Sequence, residues 1–265
     1  MRVDEREFQA IGLLWGELTE FPAGDVAGAR EHCFAELARI IGSENVFWVA
    51  AHQAAPDAGD LLDGWRPRAV ARLHSNPALD QKLADVIRQM NGATVDPMTL
   101  ANNREAGRTR AFLRGELVAD ETWERSALVN ETLRPRGVRD RIIATLPLPG
   151  GREAHIGLDR GPSDRFFGER ERDLLHLFLL GSQAFHHEQF LAYGVALPAL
   201  TPRERAVLSL LLTEMTEREI GEALGLTWRS THQYCVSIFR KCGVRGRLGL
   251  MALWLRNPGA RPPAT

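Results

Sequence analysis

The sequence predicts two domains of different fold class: an α+β N-terminal domain, in which helices flank an antiparallel sheet, and an all-α C-terminal domain of four helices. A compact apolar run at Asn45–Ala51 is typical of a buried strand. Two further strand-like segments enclose a Pro-Gly-Gly turn at 149–151, which is typical of an antiparallel hairpin. From residue 200 onward, apolar residues recur at helical spacing behind successive capping signals, so helices are expected there.

Two amphipathic helices are predicted to open the chain. Apolar residues at helical spacing mark the first, and these are Phe8, Ile11, Leu14, Trp15 and Leu18. The second helix is predicted over Val26–Ile41, and the strand at Asn45–Ala51 follows it. The segment Pro56–Asn103 is rich in Gly and Pro, so long loops are expected there around one helix at Leu79–Met90.

The second half of the N-terminal domain is predicted to hold most of the sheet. Thr109–Val118 is expected to form a strand and Glu121–Leu133 a helix. Val138–Pro147 and Glu153–Asp159 are the two strands of the hairpin. One long helix over Glu169–Leu191, with a broad apolar face, is then expected to close the domain.

Each helix of the C-terminal domain has a local start or stop signal. Capping boxes at 201–204 and 216–219 begin the first two helices, and Gly225 can adopt the left-handed conformation that ends the second. Thr227 caps a third helix, and Leu248–Leu255 forms a fourth. A helix, a short helix, a glycine turn and a third helix predict a helix-turn-helix unit, whose third helix fits the major groove of DNA.

The whole of this C-terminal stretch resembles the four-helix DNA-binding domain of the LuxR/FixJ family of bacterial transcription regulators. The matching landmarks are LTPRE at 200–204, EIGEALGL at 219–226, Ser230-Thr231, Ile238, Lys241, Gly243-Val244 and Arg247. The resemblance implies that the helix Thr227–Cys242 enters the major groove. It places His232, Gln233 and Val236 opposite bases, and it matches Lys241 to a lysine that contacts phosphate.

The outward-facing residues of the third helix are the candidate DNA-binding residues. A glutamine can bond an adenine edge, an arginine can bond guanine or phosphate, and an apolar side chain can meet a thymine methyl group. Family members usually carry Val, Lys and His where this chain has Thr231, His232 and Tyr234, so attraction to phosphate is expected to be weaker. The predicted DNA-binding residues are Thr227, Trp228, Arg229, Ser230, His232, Gln233, Val236, Arg240 and Lys241.

Charge is distributed unevenly along the chain. From Leu200 onward there are ten Arg and Lys against five Asp and Glu, which gives this part a net charge of +5. Since the whole chain has a net charge of −1, the first 199 residues have a net charge of −6. A basic end joined to an acidic body favours double-stranded DNA as the partner. A helical protein-interaction module is the alternative for this end.

The N-terminal layout resembles a GAF-like sensor domain. The resemblance rests on 123–130, 133–138 and 157–160 before Phe166-Phe167, which look like segments of GAF-like domains fused to LuxR-type outputs. It implies a small-molecule pocket between one sheet face and the segment 56–103. Tryptophans at such positions also serve as core anchors, and a lone histidine is often exposed. The candidate pocket residues are Trp48, Trp65, His74, Trp123 and His155.

Other classes of N-terminal domain fit less well. A phosphorylated receiver domain needs a late lysine, yet Lys82 is the only lysine before the C-terminal domain, so phosphorelay control is disfavoured. Trp65, Asp96-Pro97 and Trp123 resemble landmarks of the acyl-homoserine-lactone-binding class, but their spacing differs, and that ligand is kept as an alternative. A domain without a ligand, which only dimerises or binds a partner, is the other alternative.

The sequence therefore predicts a cytoplasmic, DNA-binding transcription regulator. A sensor and dimerisation domain at 1–191, a linker at 192–199, a DNA-binding domain at 200–256 and a disordered tail at 257–265 are expected. A small-molecule effector or dimer repacking would control it; the alternative is a constitutive regulator whose N-terminal domain only dimerises or binds proteins.

The predicted assembly is a homodimer without cofactor, metal or catalytic site. No apolar run approaches membrane length, and neither a phosphate loop nor a hydrolase or metalloprotease motif occurs, so neither membrane association nor enzymatic activity is expected. The exit helix and the fourth C-terminal helix are the candidate interfaces, through Leu174, Phe178, Leu250 and Trp254.

Overall fold

The computed structural model describes residues 3–22, 24–56, 59–74, 95–193, 200–242 and 244–255. Contacts group the chain into an N-terminal unit, Met1–Gly16 with Glu31–Ser182, and a C-terminal unit, Glu17–Arg30 with Gln183–Thr265. The N-terminal unit therefore differs from the domain predicted at 1–191, because residues 17–30 and 183–191 group with the C-terminal helices. Residues 194–199 of the predicted linker and the predicted tail lie outside the described residues.

Within the described residues, the N-terminal unit is built on a five-stranded antiparallel sheet in the order β2-β1-β5-β4-β3. The register places Val49 opposite both Val70 and His155, and Thr145 opposite His155. The strands are β1 Asn45–Gln53, β2 Trp65–Arg72, β3 Arg110–Leu113, β4 Asp140–Leu148 and β5 Arg152–Arg160.

Six helices precede, interrupt or follow the strands of this sheet among the described residues. Helix α6 (Glu169–Gly181) packs against β3 and β4, and Trp15 of α1 (Glu5–Thr19) donates a hydrogen bond from Nε1 to the carbonyl oxygen of Phe178 at 3.0 Å. A π-helical turn at Val129–Leu133 and a 3-10 turn at Arg134–Arg136 precede β4. The helices are α1 Glu5–Thr19, α2 Val26–Ile41, α3 Pro97–Asn103, α4 Arg114–Leu117, α5 Asp120–Arg125 and α6 Glu169–Gly181.

The two faces of the sheet carry different side chains because successive residues of a strand point to opposite sides. On β1, Trp48 is fully buried on one face with its register partner Ile156. Phe47 and Val49 lie on the other face. Gly157 of β5 faces Phe47, and a Cβ atom there would lie 2.1 Å from the phenyl ring, so the glycine makes room for that ring.

The C-terminal unit contains five described helices. Their apolar core is formed by Leu191, Leu200, Val207, Leu208, Leu211, Leu212, Ile220, Cys235, Ile238, Cys242 and Leu250. Gln189 joins Val26 and Arg30 to this unit. Its buried side-chain amide donates to the carbonyl oxygen of Val26 at 3.0 Å and accepts from the Arg30 guanidinium at 3.4 Å. The helices are α7 Gln183–Ala192, α8 Pro202–Leu211, α9 Glu217–Leu224, α10 Trp228–Lys241 and α11 Arg247–Leu255.

The predicted fold class is confirmed. Strand β1 and the β4–β5 hairpin form where predicted, and the hairpin turns at Gly150 and Gly151, both with positive φ. All three predicted caps of the C-terminal helices form, and Gly225 ends α9 in the left-handed conformation.

Three N-terminal predictions were wrong in part. Strand β2 lies inside the segment expected to be irregular; it is an edge strand with Pro67 at a register shift, where proline is tolerated. The strand predicted over Thr109–Val118 ends at Leu113 and continues as α4. The helix predicted over Glu121–Leu133 is divided into α5 and a π-helical turn. The predicted helix Leu79–Met90 lies outside the described residues.

The long exit helix predicted over Glu169–Leu191 is in fact two helices. It breaks at Ser182, which leaves helical geometry with φ −102° and ψ 16°. The preceding Gly181 lies against the indole of Trp15, where a Cβ atom would be 2.4 Å from a ring carbon. Apolar periodicity continues across this break, so the pattern alone did not reveal it.

Within the described residues, no helix is long and apolar enough to cross a membrane. In the same part of the chain, no three His, Cys, Asp or Glu side chains are grouped so that they could hold a metal ion.

Candidate functional site

Helix α10 is held in place by its cap and by close packing on α9. Thr227 Oγ1 accepts from the backbone N–H of Ser230 at 3.1 Å. Thr231 turns inward, and a Cβ atom on Gly221 would lie only 2.9 Å from its hydroxyl oxygen. This close approach allows Thr231 and Ile238 to be fully buried, which fixes the opposite face of α10 toward solvent.

The solvent face of α10 brings together most of the predicted DNA-binding residues. Trp228 and Val236 are 62% and 51% exposed, unusually high for large apolar side chains. Thr227 is exposed but acts as the helix cap, and Ser230 is half-buried beside it. The other exposed members of the predicted set are Arg229, His232, Gln233 and Arg240.

Lys241, predicted to contact phosphate, lies in a partly buried ion pair. Its Nζ donates to Glu204 Oε2 at 2.8 Å, and Ser237 Oγ donates to Glu204 Oε1 at 2.8 Å. Glu204 also accepts from the backbone N–H of Thr201 at 2.7 Å, which completes the capping box of α8. Burial alone would raise the pKa of Glu204, but these donors outweigh it and lower the pKa to about 2. Lys241 therefore joins α8 to α10.

The N-terminal unit contains a cavity of about 160 Å³ on the Phe47 face of the sheet. An apolar engineered cavity of about this size can hold a benzene-sized molecule. Most of the lining is apolar, with a few polar groups, as in small-molecule sites. The lining residues are Phe47, Val49, Ala51, Leu62, Trp65, Pro67, Val70, Arg72, Asp96, Met98, Thr99, Asn102, Asn103, Leu128, Arg141, Ile143 and His155.

A buried polar network stands behind one wall of this cavity. Arg110 and Glu153 form two parallel hydrogen bonds of 2.8 Å, and Arg110 Nε donates to Asn102 Oδ1 at 3.0 Å. Since Arg110 can only donate, the Asn102 amide nitrogen faces Thr145 Oγ1 and His155 Nδ1, at 3.3 and 3.4 Å. The network thereby fixes α3 against β4 and β5.

His155 is neutral at neutral pH. Burial lowers its pKa to about 4; the Glu153 carboxylate opposes this shift, and Arg110 adds to it. Because the amide of Asn102 donates to Nδ1, and the Thr145 hydroxyl lies 2.9 Å from the same atom, the ring proton is assigned to Nε2. The cavity wall therefore presents an imidazole whose tautomer is set by its neighbours.

Only two of the five predicted pocket residues, Trp65 and His155, line the cavity. Trp48 lies on the opposite face of β1, and Trp123 is buried in a separate cluster with Val118 and Leu133. His74 is exposed just beyond β2, with its backbone N–H bonded to Asn45. Phe47 and Val49 could have been found from the alternation of β1, whereas Met98 and Asn102 come from α3, which the sequence did not predict.

The candidate dimer residues need correction. Leu174, Phe178 and Leu250 are completely buried within their own units, so none presents a side chain to a second copy. Apolar spacing identified the inner faces of these helices, which is the usual destination of such residues. The side chain of Trp254 lies outside the described residues.

The match to a known protein family lies in the C-terminal part of the chain. The family model described as bacterial regulatory proteins, luxR family, matches residues 198–253. The probable HTH-type transcriptional regulator GfsR of Streptomyces halstedii is 34% identical over 61 residues, which are 23% of this chain and 25% of that protein. The match thus spans about a quarter of the length of this relative.

Among solved structures, the chain is similar to Escherichia coli SdiA, with 13% identity, a TM-score of 0.48, and 93% of this chain and 95% of that chain covered. A structure of SdiA in complex with octanoyl-rac-glycerol gives 14% identity and a TM-score of 0.49, over 94% and 95% of the two chains. CepR2 from Burkholderia cenocepacia, an N-acylhomoserine-lactone-dependent LuxR-family factor, gives 13% identity and a TM-score of 0.44, over 68% and 95%.

Proposed function

Because residues 198–253 match the luxR family of bacterial regulatory proteins, we propose that the chain is a cytoplasmic transcription regulator that binds double-stranded DNA through α10. The observation that carries this proposal is the solvent face of α10. It combines two arginines, a glutamine and a histidine with the exposed apolar Val236, a set suited to phosphates, base edges and thymine methyl groups.

We further propose that a small molecule in the N-terminal cavity controls DNA binding. The cavity supports this because it joins an apolar lining to a polar wall, and two of its polar lining residues, Asn102 and His155, belong to one hydrogen-bonded network. A ligand that binds one state of the chain better than another shifts its equilibrium by that difference in affinity. Regulation, and not catalysis, is the activity proposed for this cavity.

Selection of duplexes from a random DNA library by the purified full chain tests DNA recognition. We expect one recurring motif, with an affinity that falls as salt rises. The double variant Gln233→Ala/Val236→Ala should lose about 1–3 kcal/mol of discrimination for each base contact while keeping weak, sequence-independent binding. Gln9→Ala, at an exposed glutamine of the N-terminal unit, is the matched control and should behave like wild type.

The same assay, repeated with a small-molecule extract, separates controlled from constitutive regulation. A change in affinity that disappears after dialysis supports the effector. An unchanged affinity favours a constitutive regulator, and failure to enrich any motif contradicts the DNA-binding proposal itself.

A homodimer on a two-fold-related site completes the proposal. Leu248 of α11 is 87% exposed and replaces the buried Leu250 as the residue to test. We expect Leu248→Glu to shift the mass measured by sedimentation from dimer toward monomer. Val236→Glu, an equal change at an exposed apolar residue of α10, should leave the mass unchanged. A wild-type monomer, or equal effects of the two variants, would count against this interface.

A further inference from the structure

Glu217, the first residue of α9, lies beside the solvent face of α10. Its Oε2 is 2.9 Å from Nδ1 of His232. Burial raises the pKa of the Cys235 thiol, and the nearby Glu217 carboxylate raises it further. Glu217 therefore lies close to the inner side of α10 while it contacts a side chain on the outer side.

The ring of His232 is held by a second contact. The indole of Trp228 stacks on it, with ring centroids 5.6 Å apart and planes inclined by 16°. Trp228, His232 and Glu217 therefore form one assembly on the surface proposed to bind DNA. Because the Glu217 carboxylate can only accept, Nδ1 supplies the proton of their bond, and Nε2 is the ring nitrogen left for another partner.

We propose that Glu217 is a positioning residue for DNA recognition, which fixes the imidazole of His232 so that Nε2 meets one base pair of the target. This inference rests on the proposed function and adds a determinant of its specificity. A carboxylate near DNA weakens attraction to phosphate for every sequence, so its contribution is expected in selectivity and not in affinity. Without Glu217 the ring must be ordered during binding, which costs side-chain entropy.

The quantity to measure is the selectivity ratio: the affinity for the duplex selected by wild-type protein divided by the affinity for a scrambled duplex of the same composition. Glu217→Ala should lower this ratio about three- to tenfold, the cost of ordering one side chain. Glu217→Gln keeps an acceptor oxygen for Nδ1–H and should retain most of the ratio. In a His232→Ala background, Glu217→Ala should have no further effect, because the residue acts through the histidine.

Glu222→Ala is the matched control, since it removes the same charge from an exposed position of the same helix. It should raise affinity for both duplexes and leave their ratio unchanged. The inference is overturned if Glu217→Ala behaves like Glu222→Ala, or if its effect persists in the His232→Ala background. If circular dichroism shows that Glu217→Ala does not fold, Glu217→Val takes its place, alone and in the His232→Ala background. A wild-type protein that selects no duplex would instead contradict the proposed function.

Discussion

Replacing Lys241 by methionine should lower the free energy of unfolding of the C-terminal unit by about 3 kcal/mol, the lower end of the range for breaking a buried ion pair. Glu204 is only 4% exposed, so loss of the ammonium leaves a carboxylate that water cannot solvate well. The bonds from Ser237 and from the backbone of Thr201 remain, which keeps the loss near that lower end. Methionine retains the apolar length of the side chain, so the change concerns charge more than packing.

Hydrogen exchange of the backbone amides in α8 and α10 measures this loss within the C-terminal unit. Glu204→Gln/Lys241→Met should recover most of it, because glutamine can still close the capping box. Arg218→Met breaks a solvent-exposed pair with Glu222 and should change stability by less than about 1 kcal/mol. If Lys241→Met and Arg218→Met have equal effects, the Glu204 cluster does not stabilise the unit as argued.

The same cluster gives a defined dependence on pH. The folded-state pKa of Glu204, about 2, is below its ordinary value of 4.5. Its contribution to stability is therefore present above pH 4.5 and is lost as pH falls from 4.5 toward 2.

Because Lys241→Ala also disturbs this cluster, loss of DNA binding in that variant would not identify a phosphate contact. Substitutions at Gln233 and Val236 therefore test recognition more directly.

Local signals explain which parts of the fold could be predicted. Thr201, Thr216 and Gly225 act on residues within one helical turn, and every helix they mark forms as expected. Strand β2 forms by pairing with β1. Its Pro67 predicts the end of a strand unless the edge position and the register shift are known. Long-range pairing therefore decided where prediction failed.

In the candidate sites too, local patterns could be predicted from the sequence and contacts between distant residues could not. The solvent face of α10 follows from helical periodicity, so its exposed residues were predicted together. Trp48 and Trp65 are the same residue type, but only Trp65 lines the cavity, because the faces of β1 and β2 are set by sheet register. The pairing of Lys241 with Glu204 joins residues on different helices, and no spacing rule indicates it.

Arg110→Met should lower the free energy of unfolding of the N-terminal unit by about 3–5 kcal/mol. The guanidinium makes two bonds to Glu153, which is fully buried, so the variant leaves a carboxylate that keeps, among the described residues, the backbone N–H of Gly107 as a hydrogen-bond donor. Hydrogen exchange in β4 and β5 measures the loss. Arg110→Met/Glu153→Gln should recover part of it, and Arg39→Met, at an exposed pair with Glu36, should cost less than about 1 kcal/mol.

The same variant separates a structural role for this network from a role in shaping the cavity. Burial is the main cause of the low pKa of His155, Glu153 raises that pKa and Arg110 lowers it further, so removing the guanidinium should raise the pKa above about 4 while burial still holds it below the ordinary value of 6.5. Arg110 also holds the Asn102 amide that faces His155 Nδ1, so the ring should lose its fixed tautomer. Nitrogen chemical shifts of the His155 ring report both changes. An unchanged pKa and tautomer in a folded Arg110→Met protein would mean that the cavity wall is set without the buried ion pair.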